Sequence, residues 1–338
     1  MKKIVMIISV VLLAGGFAFS SGKAEDGTQD GKIKIRRYSI GTAGTAGSLY
    51  PMGVAMAETI TNHVEGLAFT GEATAASVEN IRNLTSGNLA MGISQSEIAW
   101  LAYNAKGDFA KRPAKDLRAL FSTIYSYVQV FTLADSSVYA IPDMKGKSIG
   151  VSVAGSGGEM CARMILNYFG LTYDDIKPQF IPESEAVTAL KDRKIDAFIC
   201  THPLKSAALM DLTGSAKVKM LSFEEPAFYK EFPFWTQYKI PSGTYANVNN
   251  VVTVPISRVN MFTSLKSGLS EEDVYNIVKA IWENRDEWSK ASAAVSRQVV
   301  FDAALTEIPI PLHVGAIKYF LEKGVSIPSS LYPPEYKK

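Results

Sequence analysis

The sequence predicts an α/β protein built as two similar lobes, and three observations carry that expectation. Apolar runs of strand length alternate with segments of helical period along most of the chain. A glycine-rich loop stands between a strand and a helix twice, at Ile40-Gly-Thr-Ala-Gly-Thr-Ala-Gly-Ser-Leu-Tyr50 and at Ala154-Gly-Ser-Gly-Gly158. The order of elements over residues 36–94 then recurs one for one over the second lobe, although the residues themselves are not a repeat.

The chain opens on Lys2 and Lys3 followed by the apolar run Ile4 to Phe19, with small residues at Ala18-Phe19-Ser20. That is the pattern of an export segment cleaved after Ser20 or a few residues later, too short for a comfortable membrane span. There is no cysteine at that boundary to carry lipid. Residues 1–20 are therefore expected to be a signal peptide and the mature protein periplasmic, with a polar tail over Ser21 to Lys32. Loss of the two lysines takes Lys+Arg from 35 to 33 against 33 Asp+Glu. A nearly neutral chain argues against nucleic acid or an acidic membrane as partner.

In the first lobe the strand Ile33 to Ile40 runs through the glycine loop into a helix over Leu49 to Ile60. The glycines let backbone approach a ligand, and the first helical turn presents unpaired N–H groups and a positive dipole end, a setting for anions. The spacing Gly41, Gly44, Gly47 is not GxGxxG, and no Gly-Lys-Ser/Thr follows, so a nucleotide site is not predicted. Leu67 to Glu72 is the second strand; Ser77 is read as the N-cap of a helix over Val78 to Leu84, which Gly87 stops. Leu89 to Ser94 is the third strand, and Ser94-Gln95-Ser96-Glu97 has capping-box spacing before Ile98 to Tyr103. Three strands each ending at a helix start would line the carboxyl edge of an open sheet, where ligands bind.

Leu117 to Leu133 reads as further strand. The second lobe follows: strand Lys147 to Val153, the second glycine loop, helix Glu159 to Phe169 closed by Gly170, strand Gln179 to Ile181, helix Ser184 to Lys191 and strand Ile195 to Cys200. After the loop Pro241-Ser-Gly-Thr-Tyr245 comes a strand at Asn250 to Val254, then mainly helix, Ser270 to Glu287 and Lys290 to Leu305. A helical close cannot form a third sheet, so it is expected to pack back on the first lobe. The chain then crosses between lobes at least twice, which makes a hinge.

The residues resemble the TAXI family of solute-binding proteins, receptors of one branch of TRAP transporters. The matching pieces are the Gly41 to Pro51 loop, Ser77-Val-Glu-Asn80, Gln95-Ser96, Gly155-Ser-Gly-Gly-Glu159, Pro241-Ser-Gly-Thr-Tyr245 and Ile308-Pro-Ile-Pro-Leu-His313, in order along nearly the whole mature chain. The sequence departs from the family at Ala75-Ala76, where two glycines are usual, at Ala246-Asn247, where glycine is common, and at Val314, where proline is expected. The resemblance implies a two-lobed periplasmic binding protein fold, type II-like, with lobe I over 33–135 plus 246–338, lobe II over 136–245, and the ligand cleft between them. It also implies a small organic anion as ligand, an acidic amino acid such as glutamate or a dicarboxylate, handed to a sodium-driven permease.

The candidate ligand-binding residues are Thr45, Ala46, Gly47, Ser48 and Tyr50 in the first loop, Ser77, Gln95 and Ser96 along the same edge, Ser156, Gly157 and Gly158 in the second loop, and Tyr245. Helix capping by Ser48 and Ser156 is compatible with that role, and core packing competes for Tyr50 and Tyr245. Arg163 lies four residues after Glu159, so an i,i+4 pair explains it without ligand. No enzyme, cofactor or metal is predicted: Ser152 lacks the second glycine of a nucleophile elbow, and His63, His202 and His313 show no ligand spacing. His313 reads as a turn or packing residue, Trp282 and Trp288 as core, and Cys161 and Cys200 as two separately buried thiols, with a disulfide the competing reading. A monomer that opens and closes is expected, with a sensor docking on a membrane kinase or a two-lobed transferase or hydrolase as the alternatives.

Overall fold

In the computed structural model, which describes residues 34–337 apart from Ala46 and Ser292, ten strands of the described residues join in one sheet. The expected signal peptide lies outside the described residues. The first half is β1 (Arg36–Gly41), α1 (Leu49–His63), β2 (Leu67–Glu72), α2 (Ser77–Ser86), β3 (Met91–Gln95), α3 (Ser96–Tyr103) and β4 (Leu117–Leu133). The second is β5 (Ser148–Gly150), α4 (Gly157–Tyr168), β6 (Lys177–Gln179), α5 (Glu183–Lys191), β7 (Ala197–His202), α6 (Ala207–Ser215), β8 (Val218–Met220), α7 (Pro226–Glu231) and β9 (Thr236–Ile240). β10 (Val252–Ser264), α8 (Glu271–Glu283), α9 (Arg285–Trp288), α10 (Ala293–Gln298) and α11 (Val314–Glu322) close the chain.

The strand order is β2-β1-β3-β10-β4-β7-β5-β6, with β8 beside β4 and β9 beside β10. β1 runs parallel to both β2 and β3, and β5 parallel to both β6 and β7. The two groups are joined by the antiparallel pair β4 and β10. These strands of 17 and 13 residues are long because both ends are buried. At about 3.4 Å per residue β4 reaches on the order of 55 Å, enough to serve two cores. Leu117 to Ile124 and Val259 to Phe262 pack with α1, α8 and α11 in one core, whereas Tyr127 to Phe131 and Val252 to Ile256 pack with the second half.

The second half has a core on each face of its sheet. Val128, Val130, Ile199, Cys161 and Ile165 form one, with α4; Tyr127, Phe131, Phe198, Cys200 and Tyr245 form the other. Alternation along β4 and β7 sends successive side chains to opposite faces. This is why Cys161 and Cys200 are separate free thiols, each buried, with no disulfide between them. Trp282 and Trp288 are buried in the first core and meet edge to face.

Several local expectations change. Ser77 is the first residue of α2 rather than its cap; Ala76 holds the cap position at φ 75° and ψ −137°. The hydroxyl of Ser77 instead accepts from the backbone N–H of Gln95 at 3.1 Å. Gln95, not Ser94, precedes α3, and Glu97 is buried rather than folded back in a capping box. The segment expected as one helix over Lys290 to Leu305 is broken into α10 flanked by short turns of 3₁₀ helix. The expected strand at Asn250 to Val254 starts at Val252 and runs on to Ser264, and β8 and β9 were not foreseen. Both are short, and β9 is an edge strand with mostly exposed side chains, so neither carries a long apolar run.

The C-terminal segment is tied to β4 by charge. Arg118, 4% exposed, receives Glu335 through two hydrogen bonds of 2.7 Å and donates also to the carbonyls of Lys115 and Leu117. Arg118 holds the Glu335 carboxyl below the usual range. Its contribution is therefore present above the ordinary glutamate range and lost as the pH falls through the depressed value. Glu335→Gln leaves a buried guanidinium half paired and should destabilise by about 1–3 kcal/mol at neutral pH. Urea unfolding should show that difference shrinking in acid; an equal difference at every pH would contradict the pairing.

Candidate functional site

The parallel registers place the carboxyl ends of β1, β2 and β3 side by side, and the segments leaving them are knitted together by side-chain bonds. Thr42 donates to the carbonyl of Glu72 at 2.6 Å, Thr74 donates to the carbonyl of Thr42 at 3.2 Å, and Asn80 donates to the carbonyls of Thr42 and Ile93, both at 2.8 Å. That fixes the rim on which the first glycine loop, Ala76-Ser77 and Gln95 stand. Across from it, α4 begins at Gly157 with Ser156 as its N-cap, the hydroxyl accepting from the N–H of Glu159 at 3.1 Å.

These two edges meet. A Cβ added at Gly157 would collide with Gln95 Oε1 and lie 2.8 Å from Ser77 Oγ. Gln95 in turn donates through Nε2 to Ser126 Oγ on β4 at 2.9 Å, and its Oε1 accepts from Ser77 at 3.5 Å. Gly158 sits equally tight, with a Cβ there 2.7 Å from Ser152 Oγ and 3.1 Å from Thr201 Oγ1. The centre of the molecule is thus a group of small neutral hydroxyl and amide side chains facing a helix N-terminus, where unpaired N–H groups and the dipole favour an anion.

Of the residues expected from sequence, Ser77, Gln95 and Gly157 are brought into direct apposition, with Ser156 and Gly158 beside them. The first loop is less enclosed. Thr45 is exposed, Gly47 closes a turn onto the Gly44 carbonyl at 3.2 Å, and Ser48 and Tyr50 are half-buried at the start of α1, with Ser48 making no side-chain cap bond. Ala46 lies outside the described residues. Two residues sit apart from the cleft. Ser96 is spent inside the first half, donating to the carbonyls of Arg258 and Glu307 and accepting from Asn260 at 2.8 Å. Tyr245 is 1% exposed in the core on the far face of the second half's strands, its hydroxyl donating to Gln129 at 2.6 Å and accepting from the N–H of Lys205.

Sequence reasoning missed Ser126, Ser152 and Thr201. Ser126 and Thr201 lie in buried strands that read as continuous β pattern, with only their polarity as a signal. Ser152 is the more telling, since its φ of 66° is uncommon for a non-glycine residue and lets its hydroxyl turn back to the Ile199 carbonyl at 3.2 Å. Arg163 does approach Glu159 at 3.4 Å, but its two stronger bonds, 2.6 and 3.1 Å, go to Asp108 beyond α3, so it bridges the two halves. The histidines are all engaged in structure. His63 contacts Glu287, His202 contacts Glu183, and His313 caps α11, accepting from the N–H of Gly315 while burial lowers its pKa to about 4. Among the described residues no group of three or more His, Cys, Asp or Glu is placed to hold a metal ion, and no helix is long and apolar enough to cross a membrane.

A family model described as the NMT1-like family matches residues 40–324. Among solved structures, the chain resembles a protein from Bordetella bronchiseptica at 16% identity, covering 90% of this chain and 92% of that one with a TM-score of 0.50. It also resembles the binding protein component of an ABC phosphonate transporter from Pseudomonas aeruginosa, at 10% identity over 77% and 79% of the two chains, TM-score 0.50. A Xanthomonas citri protein bound to chloride ion matches at 10% identity over 85% and 99%, TM-score 0.50. The fold is the mixed α/β, two-lobed one of the periplasmic binding proteins.

Two outcomes follow from this packing. Gly157→Ala should push Gln95 off its bond to Ser126 and destabilise the fold by about 1–3 kcal/mol, and Gln95→Ala in the same chain should restore much of that loss by vacating the space. Calorimetry on the single and double variants decides it; equal losses in both would place the defect elsewhere. Ala76→Gly removes a strained backbone conformation that glycine adopts freely and should raise unfolding stability by about 1 kcal/mol. A lower melting temperature for that variant would contradict it.

Proposed function

The chain belongs to the NMT1-like family, and from that premise we propose that it is a solute receptor that closes its two lobes around a small organic anion. The observation that carries this reading is the apposition of Gly157 at the start of α4 with Ser77 and Gln95 from the opposite edge, neutral polar side chains meeting a helix N-terminus, with the Gln95 amide oxygen nearest. The lobes, expected at 33–135 plus 246–338 and at 136–245, are better divided at bending points inside β4 and β10, near residues 125 and 257, where core membership changes. The ligand class is an acidic amino acid such as glutamate, or a dicarboxylate. Its carboxylate is held by backbone N–H groups and hydroxyls around Thr45 to Ser48 and Ser156 to Gly158, with Ser77 and Gln95. The TAXI-like motifs favour a TRAP permease as the membrane partner, and the site of action is the periplasm after removal of residues 1–20. One solved structure that the chain resembles is the binding protein component of an ABC phosphonate transporter, and a permease of that kind is the second reading for the partner.

Neutral recognition is favoured over an arginine clamp because Arg163 already has two carboxylate partners, Asp108 and Glu159. Helix N-termini contribute about 0.3–1 kcal/mol each toward an anion at exposed sites and up to ~2 when partly buried. Receptor function is favoured over catalysis by the engagement of His63, His202 and His313 in structural contacts.

A melting screen tests the reading. Glutamate, aspartate and dicarboxylates are compared with sugars and cations, and the cognate anion at a hundredfold excess over its Kd should stabilise by roughly 2.7 kcal/mol. A shift with sugars or cations and none with any organic anion would overturn it. With the cognate anion in hand, Arg163→Gln should change affinity by less than about tenfold.

A further inference from the structure

The most deeply buried acid in the cleft region has no part in the proposed anion site. Glu97, in the first turn of α3, is 0% exposed. Its Oε1 accepts from Cys161 Sγ of α4 at 3.2 Å and from Trp235 Nε1, on the segment between α7 and β9, at 3.3 Å. Its Oε2 has no hydrogen-bond partner. Both donors come from the other half of the molecule, so parting the halves would strip the carboxyl of those contacts and admit water to it.

Among the described residues no cation is arranged to hold a charge there. On α4 the facing group is the Cys161 thiol, itself pushed up by burial and by Glu97, with Glu159 behind it. On β10 it is Ser257; Arg258, the next residue, points to the opposite face and lies over the Tyr125 ring at 3.7 Å. From the loop before Ile308 the neighbouring charge is Glu307, which repels. The start of α3 and the weak donors favour the ionised form, yet full burial of a carboxylate with no cation beside it strongly disfavours it. Burial accordingly raises the Glu97 pKa above the ordinary carboxylate range, opposed in part by Ser257, the Glu97 backbone N–H, Cys161 and Trp235.

We propose that Glu97 is a proton-carrying latch: the closed form holds this carboxyl neutral between Cys161 and Trp235, and opening hydrates it and releases the proton. The direction is fixed by linkage. The closed form binds more protons than the open one between the two pKa values, so closure is favoured below the open-form value and weakens as the pH rises through the closed-form value. Within that window the ratio of closed to open molecules falls about tenfold per pH unit. A receptor with this latch grips its solute more firmly in an acidified periplasm.

This inference rests on the proposed opening and closing of the lobes but on no solute, so it can fail while the melting screen succeeds. Infrared difference spectra of wild type against Glu97→Gln at neutral pH should show the carbonyl stretch of a protonated carboxyl in the wild type. Small-angle scattering from about pH 5 to about pH 9 at fixed ionic strength should show the wild type expanding as the pH rises and Glu97→Gln unchanged. Trp235→Phe removes a donor that favours the ionised form, so the expansion should move to higher pH, and this variant carries the test if Glu97→Gln does not fold. Absence of the carbonyl band, a Glu97→Gln profile that follows the wild type, or a Trp235→Phe profile at unchanged or lower pH would each overturn the latch.

Discussion

Two antiparallel strands, β4 and β10, belong to both halves of this molecule, and the rest of the structure depends on that sharing. Their ends are anchored in different cores, with Phe121 and Phe262 in one and Phe131 and Val254 in another. Relative motion of the halves must therefore bend these strands near residues 125 and 257 rather than break a core. The polar residues Ser126 and Ser257 stand at that crossing, paired directly across the two strands. Small side chains keep that crossing uncrowded, and the strands' backbone bonds hold it in register.

What faces the cleft is chemically uniform. Ser77, Gln95, Ser126, Ser152 and Thr201 are neutral, and two of the charged groups around them differ in their chemistry. At the rim, Arg163 joins Asp108 across the halves while each remains about one-third exposed, so solvent screens the pair and limits its contribution. In the interior, Glu97 is fully buried and without a cation. Under the proposed function, an anion between Gln95 and the start of α4 would meet oriented N–H groups rather than a salt bridge. How closely the two edges approach is set by Gly157, where a Cβ would collide with Gln95 Oε1.

The fold was legible in the sequence because its signals are local. Strand-length apolar runs, the two glycine loops and the recurrence of element order each mark an α/β unit; Gly157 and Gly158 stand out in sequence as backbone free to approach a ligand, and the structure shows them against the opposite edge instead. The misses are non-local. The hydroxyl of Ser77 has typical capping chemistry, but the long-range partner Gln95 claims it. Glu97 has capping-box spacing, yet packing of α4 and Trp235 buries it. Tyr245 and Ser96 carry groups suited to ligand contact, and only the tertiary structure shows Gln129, Asn260 and backbone carbonyls using them. β9 is an edge strand of exposed residues, so its pairing with β10 leaves little trace in hydropathy.

The central claim is that the two halves are separate bodies that shut on a small organic anion. Single-molecule energy transfer between dyes placed at two exposed lysines, Lys111 in the first half and Lys230 in the second, measures their separation directly. Native Cys161 and Cys200 are buried and leave engineered cysteines at those positions to be labelled selectively. Addition of the anion found in the melting screen should collapse a broad distribution of separations onto the short one of the closed form. A distribution unchanged by that anion at saturation would contradict the account.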